Sequence, residues 1–94
     1  MRILGTLPHP LLKITAFQHN HRLSLQIEKG LVQITFRFRE SEDLKTLADL
    51  QRLADQTFLE HALQTLQSME RNKDLALQRF LDDKASEEEF PRIV

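Results

Sequence analysis

Cysteine, tryptophan and tyrosine are absent from this chain. Without cysteine there is no disulfide framework, no thiolate metal site and no thiol nucleophile. Glycine is nearly absent: Gly5 and Gly30 are the only two, so no glycine-rich loop can cradle a phosphate. Proline is confined to Pro8, Pro10 and Pro91, and neither Gly nor Pro occurs from Leu31 to Glu89. Long apolar runs are missing as well. The stretch that opens with Met1 breaks at Pro8, short of the roughly 7–15 apolar residues of a secretory signal and the ~20 of a membrane-spanning helix. These absences lead us to expect a small soluble protein of the cytoplasm with no membrane partner.

What is present is enough for one modest core. Of 94 residues, 40% are apolar, and a domain of this size buries about 65% of the surface of its unfolded chain. The net charge of −1 conceals a split. Up to Ser41 there are six Lys/Arg against two Asp/Glu, giving +4; from Glu42 onward seven against twelve, giving −5. A basic N-terminal half and an acidic C-terminal half follow.

The basic half alternates with period two. Arg2–Leu7 is a short apolar run that ends in the stiff connector Pro8-His9-Pro10. Leu12, Ile14 and Ala16 oppose Lys13, Thr15 and Phe17. After a turn at His19-Asn20-His21, Leu23, Leu25 and Ile27 oppose Ser24, Gln26 and Glu28. After Lys29-Gly30, Val32, Ile34, Phe36 and Phe38 oppose Gln33, Thr35, Arg37 and Arg39. Each strand therefore has one dry and one wet face, and short links make neighbours antiparallel. The acidic half changes to helical spacing. Ser41 is placed to cap a helix near 42–53 through Leu44, Leu47 and Leu50, and Asp55 to cap a longer one near 55–82 through Phe58, Ala62, Leu66 and Met69. The expected fold is α+β: a three- or four-stranded antiparallel β-meander packed on one face by two C-terminal helices. Residues 1–84 form the single domain, and 85–94 form an acidic, apolar-ended tail read as solvated and mobile. Leu12, Ile14, Leu23, Leu25, Ile27, Ile34, Phe36 and Phe38 are expected to be buried against Leu47, Phe58, Ala62 and Leu66.

Chemistry is thinly represented. Ser24, Ser41, Ser68 and Ser86 have no nucleophile-elbow context, so no catalytic residue, no cofactor and no enzyme activity is expected. His19 and His21 share a face if extended and invite a metal, with His9 as a further ligand, but a turn is the plainer place for them; His61 reads as a surface residue. Lys13, Phe17, Arg37 and Arg39 put charge and one ring on the wet face, the elements of a small RNA-binding platform.

The long helix is expected to outrun the sheet by roughly 15 Å, from the rises per residue of helix and strand. Its far end carries Leu75, Leu77, Phe80 and Leu81, and Phe90 and Ile93 add an apolar terminus. That surface reads as a contact site, most simply a homodimer or another protein partner. A bend in Glu70-Arg71-Asn72-Lys73-Asp74 would instead fold the last turns back.

Met1-Arg2-Ile3-Leu4-Gly5, His9-Pro10, Arg22–Glu28, Gln33-Ile34-Thr35-Phe36 and Ala76-Leu77-Gln78-Arg79-Phe80 together resemble a small uncharacterised conserved protein family of Bacteroidetes bacteria. The resemblance covers nearly the whole chain. It implies a single cytoplasmic bacterial domain and supplies no catalytic or binding residues.

Overall fold

Alternation becomes four antiparallel strands: β1 (Arg2–Leu7), β2 (Lys13–His19), β3 (Arg22–Lys29) and β4 (Val32–Arg39), in the spatial order β1-β2-β3-β4. Two helices follow, α1 (Leu47–Leu53) and α2 (Gln56–Glu89). The computed structural model describes residues 1–89. The α+β meander is thus as the sequence implies, with four strands.

Turn chemistry sets the register. Asn20 and His21 both adopt positive φ, 50° and 59°, the type I′ pattern whose twist suits a two-residue hairpin. His19 consequently pairs with Arg22. In the next hairpin Gly30 alone has positive φ, 60°, and Lys29 pairs with Val32. The turn is therefore Gly30-Leu31, one residue later than Lys29-Gly30. In the β1–β2 link, His9 Nδ1 accepts from the amides of Leu11 and Leu12 at 3.0 and 3.1 Å. This ring closes a loop in which Pro8 and Pro10 have no amide to donate.

One face of the sheet is dry. Leu7, Leu12, Ile14, Ala16, Leu23, Leu25, Ile27 and Val32 pack with Leu50, Ala54, Ala62 and Leu66. Ile34, Phe36, Phe38, Leu47 and Phe58 adjoin this core but are only half-buried, a correction to the full burial expected of them. β4 is an edge strand, so its inward side chains sit at the rim with no fifth strand beside them. Phe36 and Phe58 meet there, ring centroids 4.9 Å apart and tilted by 59°. At the other edge, β1 carries a register shift between Ile3 and Gly5. Gly5 has φ 149°, and a Cβ there would lie 2.7 Å from Leu47 Cδ2. The missing side chain is what lets α1 approach the sheet.

The first helix starts later than expected. Residues 41–45 form a turn, with Ser41 and Leu44 exchanging backbone hydrogen bonds at 2.9 and 3.2 Å, so Ser41 is not the cap. Thr46 is: its Oγ1 accepts from the Asp49 amide at 3.1 Å while Asp49 Oδ2 accepts from the Thr46 amide at 3.1 Å, a reciprocal capping box. The Lys45 amide also donates to Asp49 Oδ2 at 3.0 Å. These two backbone donors, that of Lys45 first, hold the Asp49 carboxyl below its ordinary pKa. Asp55 caps α2 as anticipated, its Oδ1 accepting from the Phe58 amide at 2.9 Å.

With no Gly or Pro to stop it, α2 runs 34 residues to Glu89 without a bend at 70–74, a length of about 51 Å. Among the described residues its last fully buried side chain is Leu66, and every side chain from Arg71 to Ala85 is exposed. The overhang beyond Glu70 is about 28 Å, nearly twice the expected figure. The molecule measures 67 × 27 × 16 Å with a radius of gyration of 19.3 Å, against about 12 Å for a compact domain of this length.

Candidate functional site: a helical overhang and a basic sheet face

Two surfaces stand out, and they arise from different elements. The first is the overhang of α2. Counting in threes and fours from buried Leu66, the seam that covers the sheet passes Met69/Glu70 and Lys73, then reaches Leu77, Phe80/Leu81 and Lys84. Leu77, Phe80 and Leu81 are 51%, 56% and 53% exposed. They continue the core stripe with no core beneath it. Lys84 Nζ lies 6.0 Å from the Phe80 ring centroid. Leu75, 46% exposed, falls on the opposite side of the helix and does not join the stripe. Phe90 and Ile93 lie outside the described residues.

The overhang begins at a fixed point. Lys29 Nζ donates to Glu70 Oε1 at 2.7 Å, tying the end of β3 to the last half-buried turn of α2. A Cβ on Gly30 would stand 3.2 Å from Glu70 Oε2, so the β3–β4 turn lies directly under this departure. Leu31 in that turn is 87% exposed.

The second surface is the sheet face turned away from the helices. Register places its side chains in rows. Ile3, Phe17, Ser24 and Arg37 form one row; His19, Arg22 and Arg39 form the next; Thr15, Gln26 and Thr35 lie on the other side of the first. Phe17 is half-buried and helps line a groove of about 370 Å³ with Arg22, Ser24, Gln26, Thr35 and Arg37. Of the four residues singled out for this face, Phe17, Arg37 and Arg39 come together. Lys13 stands at the far end of the strand, paired in register with Glu28. Arg22 and Ile3 were not anticipated. Strand phase already put Arg22 on this face; its neighbours followed only from the two hairpin registers.

His19 and His21 line one open depression with Arg2 and Glu40. His19 Nε2 lies 3.1 Å from Asn20 Nδ2, His21 occupies the turn, and His9 is engaged with its own loop amides. Among the described residues no group of three or more His, Cys, Asp or Glu is placed to hold a metal ion. Among the same residues no polar or charged side chain is fully buried, and no helix is long and apolar enough to cross a membrane.

Comparison with family models, with curated proteins and with solved structures returned no match.

Proposed function

We propose that this chain is a non-enzymatic protein-interaction module that self-associates through the overhang of α2. The observation that carries this reading is the continuation of the core stripe, as Leu77, Phe80 and Leu81, past the end of the sheet. Helices draw most of their stability from packing an apolar face, and among the described residues this stretch has nothing to pack against.

Charge favours a second copy lying antiparallel. The overhang nearer the sheet holds Arg71, Lys73 and Arg79 against Asp74; its outer part holds Asp82, Asp83, Glu87, Glu88 and Glu89 against Lys84. The last turn of α2 has no basic residue, so acidic residues stand at the negative end of the helix dipole, the unfavourable arrangement. A two-fold axis near Arg79 sets the basic part of each helix against the acidic part of the other. It sets Leu77 opposite Leu81 and Lys84 opposite Asp74. It also brings the end of each helix back toward the other copy's β3–β4 turn with its exposed Leu31. Such a self-complementary contact closes at two copies.

Sedimentation equilibrium at micromolar concentration tests the reading. A dimer is expected, with Phe80→Asp giving a folded monomer and Leu75→Asp remaining dimeric. Lys84→Glu should weaken association, and adding Asp74→Lys should restore it. A wild-type monomer throughout that range, or a Phe80→Asp variant that stays dimeric, overturns it.

A further inference from the structure

The outer face of the sheet holds a like-charge arrangement that forms no ion pair among the described residues, although Glu40 and Glu42 line a depression with Arg39. Arg22 and Arg39 are direct cross-strand partners, a juxtaposition that opposes sheet formation when both are cations. Arg37 lies two residues from Arg39 on the same face of β4 and pairs with Ser24, two residues from Arg22. His19 completes the row on β2. Among the described residues none of these arginines forms an ion pair. Glu40, the nearest acid in sequence, is occupied on the other face, where its Oε2 accepts from Gln18 Nε2 at 3.1 Å. Gln18 Oε1 in turn accepts from Arg2 at 2.8 Å. The outer-face carboxylate of Glu28 lies six residues along β3 from Arg22, about 20 Å away.

Beside the arginines lies Phe17, one row along, in the groove shared with Arg22 and Arg37. The rest of that groove offers Ser24, Gln26 and Thr35, side chains that donate and accept hydrogen bonds. Anions for the guanidinium groups, a flat apolar surface for the ring and hydrogen-bonding edges between them describe one class of ligand. We propose that this face binds single-stranded nucleic acid, with phosphates at Arg22, Arg37 and Arg39 and a base stacked on Phe17. A single strand is required because only an unstacked base can lie against a ring seated in the groove. An acidic peptide would use the arginines but leave the ring without a planar partner. The site is independent of α2 pairing, because the helices pack on the opposite face.

The test is fluorescence anisotropy of a labelled oligouridine of about ten nucleotides, within the ~4–16 nucleotides that comparable single-strand platforms cover, titrated with the full chain at several salt concentrations. Affinity is expected to fall with salt. Arg22→Ala with Arg39→Ala should reduce the slope of log affinity against log salt by about 1.4, or about 0.7 for each phosphate no longer neutralised. Phe17→Leu keeps an apolar side chain at a half-buried position, so the sheet should remain folded by circular dichroism. It should weaken binding by about tenfold, the order expected when one base can no longer stack, with the salt slope unchanged. Absence of binding at low salt overturns the proposal. So does full affinity in Phe17→Leu, equal binding of the same sequence as a duplex, or displacement by oligoglutamate as effective as by unlabelled oligouridine.

Discussion

Lys29 and Glu70 join at 2.7 Å where α2 leaves the sheet, and both side chains are 28% exposed. The pair pins the last supported turn of the helix to the end of β3. Partial burial makes it stronger than a free surface pair but leaves it open to screening. Glu70→Gln should lower unfolding stability by about 0.5–1 kcal/mol, and the deficit should shrink in high salt. Urea titrations at two ionic strengths measure both.

Gly5 is the position where a methyl group would do most harm. Its φ of 149° is rarely adopted by other residues, and the new Cβ would meet Leu47 at 2.7 Å. Gly5→Ala should cost about 2 kcal/mol, combining backbone strain with overpacking. In a Leu47→Ala background the added cost should be smaller, because the obstructing methyls are gone. A double-mutant cycle from chemical denaturation separates the two parts.

The capping box makes stability depend on pH. Because the folded pKa of Asp49 is lowered, its contribution is fully present above the unfolded value of about 3.9. It is lost as pH falls through the lower folded value. Asp49→Asn should therefore be less stable than the parent at neutral pH, and the two should converge in strong acid. Thr46→Ala should cost about 1 kcal/mol at neutral pH. Thermal melts across the acid range test both variants.

Phe36 sits at the rim of the core against Phe58. Phe36→Ala should cost about 2 kcal/mol, below the ~3–5 kcal/mol of a fully enclosed ring, and should lower the melting temperature accordingly.

Amide hydrogen exchange should divide α2 at Glu70. In the Phe80→Asp variant, residues 71–89 should exchange rapidly while the amides of Ala62 to Leu66 stay protected, since only the latter are packed on the sheet. Equal protection along the whole helix would mean that the overhang is stable without a partner.

The strands were readable because alternation is unbroken. Val32–Arg39 is bounded as the pattern implies, and Leu23, Leu25 and Ile27 are buried as a set. Helix starts were harder. Ser41 followed by Glu42 and Asp43 has the composition of a cap, but Thr46 with Asp49 closes the reciprocal hydrogen bonds that Ser41 cannot. The turn at Gly30-Leu31 shows why the basic face was only half visible. Placing the turn one residue earlier pairs Arg22 with Arg37; the observed turn pairs it with Arg39. Periodicity assigns a face, whereas neighbours depend on register, and register rests on a single glycine's φ. The overhang was legible in kind, from a Gly- and Pro-free stretch, but its direction was not. That Leu75 lies away from Leu77, Phe80 and Leu81 follows from helical spacing, but that these three continue the buried stripe follows only when the helix is known to run on past Glu70.

Because α2 is one uninterrupted helix across Glu70, it acts as a rigid lever whose azimuth is set by the sheet. Each residue added or removed between Glu70 and Leu77 would turn the stripe of Leu77, Phe80 and Leu81 by about 100° and move it about 1.5 Å along the axis. A single insertion would aim the same side chains in a new direction without touching the core. A partner seated on the stripe is thereby held at one angle to the row of arginines on the sheet's far side.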